Sequence, residues 1–148
     1  MHSEILQPVV ALLAWSMLIL GWLYVRRIPA MRAAKIDLRN LTGSKPGQLD
    51  AIVAPQAQWP AHNYMHLMEQ PTLFYAACFV LALTGWGHGL NVQLAWGYVA
   101  LRVAHSLVQV LWNRVAVRFL LFGAASLVLL MLVVHAGIAV WHDQPAPL

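Results

Sequence analysis

The sequence predicts an all-α integral membrane protein, a single four-helix bundle over residues 1–142 with both termini on the outer side. Three observations carry this. The 148 residues are 61% hydrophobic and only 9% charged, whereas an ordinary soluble domain is roughly a quarter charged. Apolar runs of about 20 residues, the length that crosses a hydrocarbon core, recur along the chain. The nine lysines and arginines are gathered at one set of ends of those runs instead of being scattered. The apolar content excludes disorder, and the length allows one domain. Cys78, the single cysteine, has no partner in the chain for a disulfide or a cysteine metal cluster. The net charge of +4 sits beside apolar segments, where topology and anionic head groups account for it better than nucleic acid does.

The first helix is expected over residues 5–26, closed at once by Arg26 and Arg27. Glu4 precedes it where a cleaved leader would be basic, and no small-residue cleavage site follows, so the segment reads as a retained anchor. Residues 27–61 form a polar connection with Arg32, Lys35, Arg39, Lys45 and four prolines, its start continuing the first helix as far as Arg39. The second helix, 62–84, is polar over its first third and apolar from Thr72 to Leu83. Gly85 to Asn91 is too short to cross anything, so it joins the second and third helices as an antiparallel hairpin. The third helix covers 92–112 and the fourth 118–141, with Asn113 to Arg118 turning between them and 143–148 as a flexible tail. Six of the nine basic residues lie between Arg26 and Lys45 and two in the second turn, with Arg102 alone inside a span. The positive-inside rule therefore puts the connection and that turn in the cytoplasm, and the termini and the glycine-rich hairpin outside.

Charges inside a span cost roughly 2.5 to 3.5 kcal/mol each on insertion scales, so Glu69 and Arg102 need partners or a wet site. At 100° per residue, Arg102, His105, Ser106, Gln109 and Asn113 fall within an arc of roughly 100° on the third helix. His62, Asn63, His66, Glu69 and Gln70 fall within roughly 120° on the second. Counting residues from the inner border places Glu69, His105 and Arg102 at similar depth, roughly 10 to 17 Å inside. The expectation is a cluster in which Glu69 pairs with Arg102 or hydrogen-bonds His105. Such a cluster either fixes helix packing and register alone or admits a polar compound from the cytoplasm, with arginines as anion clamps. His88 and His135 read as packed or interfacial, and the methionines and seven tryptophans as packing and interface anchors.

The stretch NYMHLMEQPTLFYAA from Asn63 to Ala77, the pattern RVAHSLVQVLWNRVAVRF from Arg102 to Phe119, the length and the four-helix plan resemble the MAPEG family, the membrane-associated proteins of eicosanoid and glutathione metabolism. The likeness covers most of the chain and looks nearest to the bacterial branch, which implies a bacterial inner membrane. Characterised members form trimers and bind glutathione between subunits, open to the cytoplasm. The resemblance implies glutathione as co-substrate, with Arg118 matching the thiolate-stabilising arginine through a small gap. It implies Glu69 and Arg102 as tripeptide ligands, joined by His105, His66, Asn63 and Gln109, and it offers Arg26 or Arg32 to a glutathione carboxylate. This chain departs from the eukaryotic pattern in three places. His66 stands where asparagine precedes the glutamate by three, Pro71 follows the glutamate by two positions instead of three, and His105 and Gln109 replace tyrosines.

Two functions from different classes follow. One is a glutathione-dependent transferase or peroxidase that presents an arginine-stabilised thiolate to a lipophilic electrophile from the bilayer. The other is a non-catalytic, trimeric MAPEG-fold protein that binds membrane or lipid. Axial ligation of haem by His66 and His105 and a small proton-coupled exporter stand behind these. No metal site is read from the sequence.

Overall fold

The computed structural model describes residues 3–37 and 51–142, and every regular element in them is helical. Helix α1, Leu6–Ala33, has 28 residues, about 42 Å at 1.5 Å per residue. That exceeds a hydrocarbon core of about 30 Å, and the excess is the end carrying Arg26, Arg27 and Arg32. The helix therefore runs on past residue 26 into the start of the connection, where a continuation was expected, and ends at Ala33. It closes on Lys35 in a left-handed conformation, φ 53°, with Ile36 N–H donating to the Met31 carbonyl at 3.2 Å. The expected flexible tail at 143–148, and Arg39 and Lys45 in the connection, lie outside the described residues.

The second predicted helix is observed as two segments, α2 over Pro55–Glu69 and α3 over Pro71–Leu83. Proline at the first position of each supplies a fixed φ and a missing N–H that a helix start does not need. Gln70 between them keeps helical angles, φ −59° and ψ −39°, so α2 and α3 run on as one rod interrupted at Pro71. The interruption follows from the proline ring, which removes an N–H and crowds the carbonyl four residues back. Helix α4, Leu90–Leu111, and helix α5, Val115–His142, complete the chain. By length and composition α1, α4 and α5 can each cross a membrane.

α1 packs against α2, α3 and α4, and α5 against α3 and α4. The buried seam of α5, Ala125, Leu129, Leu132, Ala136 and Ala139, advances by four and three residues in turn, the spacing that keeps one stripe on a neighbour. Its alanines let backbones approach closely. Outside that seam α5 exposes Leu120, Leu127, Leu130, Met131, Val133, Val134 and Ile138. An apolar outer face of this extent suits lipid or a further protein surface, not water. At the centre Phe74 stacks on Tyr98 with ring centroids 4.5 Å apart.

The two ends of the bundle differ. At one, Ser3 Oγ and Ile5 N–H donate to the Gly87 carbonyl at 3.1 and 3.2 Å, joining the N-terminus to the α3–α4 turn. Asn91 Nδ2 donates to the Trp86 carbonyl at 2.9 Å, and Asn91 Oδ1 meets His135 Nδ1 at 2.6 Å, bringing the last part of α5 to the same end. His135 is thus a packed histidine with a named partner. The opposite end gathers the close of α1 and the α4–α5 turn, with Arg26, Arg27, Arg32, Lys35, Arg114 and Arg118.

Gly87 has no room for a side chain. A Cβ there would fall on the Ser3 hydroxyl and within 2.8 Å of Ile5 Cγ2. Gly87→Ala is expected to destabilise the protein by about 1–3 kcal/mol, the usual cost of overpacking, seen as a lower Tm in detergent by circular dichroism. Gly21→Ala, whose Cβ meets nothing within 4 Å, is expected to leave Tm unchanged or slightly raised.

Candidate functional site

The α4 stripe expected from the sequence is the buried face of that helix: Arg102, His105, Ser106 and Gln109 are all buried. Period 3.6 puts these four on one side, and the bundle closes over them. Arg102 is wholly buried, 0% exposed. Its Nη2 donates to the main-chain carbonyl of His66 at 2.7 Å, in the last turn of α2 before the Pro71 interruption. Its guanidinium lies 5.9 Å from the centroid of the Phe122 ring on α5, a cation–π distance. Asn63 Nδ2 donates to Gln109 Oε1 at 2.9 Å, a second buried tie between α2 and α4.

Glu69 departs from expectation. It forms no ion pair with Arg102 and no hydrogen bond with His105. Its side chain is 64% exposed and its Oε2 lies 3.1 Å from Nδ1 of His66, one turn back on the same helix. Arg102 donates instead to the His66 carbonyl, and the Glu69 carboxylate turns outward to the His66 ring on its own helix.

Arg118, in the first turn of α5, is anchored from the α4–α5 turn. Asn113 has φ 52°, a left-handed value that asparagine tolerates better than most residues. Its N–H donates to the Val108 carbonyl at 2.7 Å, ending α4, while its Oδ1 accepts from Arg118 Nη1 at 2.6 Å. One residue therefore both stops a helix and aims a guanidinium. Arg118 Nη2 lies 3.5 Å from His66 Nε2. Arginine has no acceptor, so a hydrogen bond at this contact runs from Arg118 to Nε2, while Nδ1 faces Glu69.

These residues surround a pocket of about 210 Å³ lined by His66, His105, Val115, Arg118, Phe119 and Phe122. The His66 and His105 rings meet edge to face at 6.0 Å, and Phe122 lies 6.2 Å from His105. Arg102 Nε and Nη1, Arg118 Nε, His105 Nδ1, Ser106 Oγ and Asn63 Oδ1 are buried without a hydrogen-bond partner. Leaving such groups unsatisfied costs about 1–3 kcal/mol each. Of the two guanidinium groups, Arg118 lines the pocket and Arg102 does not, and a guanidinium in a pocket wall suits an anion such as a carboxylate or a thiolate.

The structure brings together Arg102, His105, His66, Asn63, Gln109 and Arg118 from α2, α4 and α5. It leaves Glu69 at the rim, held to His66. Arg26 and Arg32 are exposed on α1 and do not line this pocket. Arg27 lines a separate groove with Tyr24, Met31 and Tyr64. Among the described residues no three His, Cys, Asp or Glu side chains are grouped to hold a metal. Sequence reasoning missed the apolar wall of Phe119 and Phe122, and it missed the role of Asn113, whose signal is an asparagine in a short turn between two spans. It placed Gln70 on the polar arc of the second helix without its partners: Gln70 donates to Ser126 Oγ at 2.7 Å and accepts from Tyr98 OH at 3.2 Å.

No curated protein and no solved structure gives a significant match to the chain. The model of the MAPEG family matches residues 5–138, nearly the whole of the bundle described above, and the chain belongs to that family.

Proposed function

We propose that this protein is a glutathione-dependent transferase or peroxidase of the membrane, in which Arg118 stabilises the thiolate and a lipophilic electrophile enters from the bilayer. The observation that carries the reading is Arg118 itself: a guanidinium fixed by Asn113 at 2.6 Å, without an acidic partner among the described residues, in a pocket whose other wall is Val115, Phe119 and Phe122. A thiol with a pKa of about 8.5 is mostly protonated at neutral pH, and a fixed cation in an apolar wall favours its anion. The unsatisfied donors of Arg102 and His105 suit the carboxylates and main chain of a tripeptide, with Asn63 and Gln109 positioning α2 and α4 around them and Glu69 near its amino end. Glutathione, when bound, supplies the sulfur nucleophile; the chain's own residues bind, orient and hold its charge.

The pocket of one chain is small for a tripeptide and opens at the rim, which agrees with a homotrimer whose neighbour completes the cleft. In that assembly Arg26 and Arg32 of α1 meet a glutathione carboxylate. The α2–α3 rod is the fourth span of a single domain. Basic residues at the pocket end orient that end to the cytoplasm and both termini outward, in a bacterial inner membrane where lipids cover the apolar faces of α1 and α5. The second reading, a non-catalytic trimer that binds lipid, rests on the Asn63–Gln109 and Gln70–Ser126 bonds, which tie helices together without any ligand.

Glutathione binding to the detergent-purified protein separates the two readings. The catalytic reading expects thiolate absorbance on addition of glutathione and turnover of a lipophilic electrophile. Arg118→Ala is expected to abolish the absorbance and lower kcat by about 100-fold or more, the usual loss when one charge-stabilising donor is removed. Wild-type protein that neither binds glutathione nor develops thiolate absorbance supports the lipid-binding trimer instead. Orientation is open to cysteine labelling in a Cys78→Ala background. His88→Cys is expected to react with an impermeant maleimide in intact cells, and Arg114→Cys only after lysis.

A further inference from the structure

We propose that His66 is the general base that takes the thiol proton, with Glu69 as the residue that positions it, an assignment that rests on reading the Arg118 pocket as a thiol site. A histidine and a glutamate three apart on a helix commonly form a solvated pair with no further meaning. What distinguishes this pair is where its other nitrogen goes. Nδ1 faces Glu69 Oε2 at 3.1 Å, while Nε2 lies at the pocket wall 3.5 Å from Arg118 Nη2. The carboxylate thus selects the tautomer with the proton on Nδ1 and leaves the Nε2 lone pair in the pocket, beside the cation that would hold the sulfur. This is the orientation logic of an acid–histidine–nucleophile arrangement, with the nucleophile brought by the co-substrate.

The step balances in atoms and charge. The S–H bond breaks, its electron pair stays on sulfur, and the proton moves to His66 Nε2. The imidazolium is then held by the Glu69 carboxylate and the thiolate by the Arg118 guanidinium, so the group remains neutral as a whole. Sulfur attacks the lipophilic electrophile, a displaceable group departs as an anion, and the proton on Nε2 leaves with it. Besides Glu69 and Arg118, the titratable and charged groups facing His66 are Arg102, bound to its main-chain carbonyl at 2.7 Å, and His105, edge-on at 6.0 Å.

The test uses the full chain in detergent and compares wild type with His66→Gln and Glu69→Gln. S-methylglutathione, which has no thiol proton, reports binding alone. The expected result is S-methylglutathione affinity within about twofold of wild type, with thiolate formation from glutathione slowed by about 100-fold in His66→Gln, within the range that a positioned base contributes. Added imidazole is expected to restore part of the thiolate rate. Glu69→Gln is expected to slow the same step less and to move the lower limb of the pH profile. Wild-type thiolate rates in His66→Gln overturn the proposal and leave the Arg118 reading intact. Loss of S-methylglutathione binding in His66→Gln assigns the residue to binding and also overturns it. Wild-type protein that forms no thiolate overturns the Arg118 reading and this proposal together.

Discussion

The structure turns on a guanidinium that has no carboxylate. Arg102 is fully buried within a helix that can cross a membrane, where a charge is tolerated only with strong hydrogen-bonding partners. It finds one in the main-chain carbonyl of His66, at 2.7 Å. A backbone acceptor cannot rotate away, so this bond fixes the height and rotation of α2 against α4 more firmly than a flexible acidic side chain would. The face of Phe122, 5.9 Å away, brings α5 to the same charge. Three helices are thereby located by one residue.

That choice of partner decides the electrostatics around it. Had Glu69 neutralised Arg102, the interior would hold a closed ion pair of the kind that serves packing and no more. Instead Glu69 stays at the rim and engages His66, and the interior keeps two guanidinium groups with donors to spare. The pocket carries the Arg118 guanidinium in one wall and an apolar surface of Val115, Phe119 and Phe122 in another. A ligand matching it carries negative charge at one place and meets a lipophilic surface at another.

The membrane character was legible in the chain because it rests on composition and on the length of apolar runs, which need no knowledge of neighbours. The α4 stripe was legible for a related reason: period 3.6 alone puts Arg102, His105, Ser106 and Gln109 together, and the bundle buries that face. The boundaries were less legible. α1 continues to Ala33 because Arg27, Ala30, Met31, Arg32 and Ala33 are good helix formers, and Pro29 among them does not end it, while the second helix begins at Pro55 because proline suits a first turn.

Pairing across helices could not be read in the same way. A helical wheel places Glu69 and Arg102 each on a polar face, yet it carries no information on which atoms of the opposite helix lie within reach. The sequence by itself determined that this chain is a set of membrane-crossing helices with polar stripes at one end, since hydropathy and periodicity are local properties. Only the tertiary structure decided that Arg102 would bind a carbonyl, that Glu69 would turn to His66, and that Asn113 would aim Arg118. Those outcomes depend on how each helix is rotated against its neighbours, which is set by the sum of contacts along the rod and by no single residue in it.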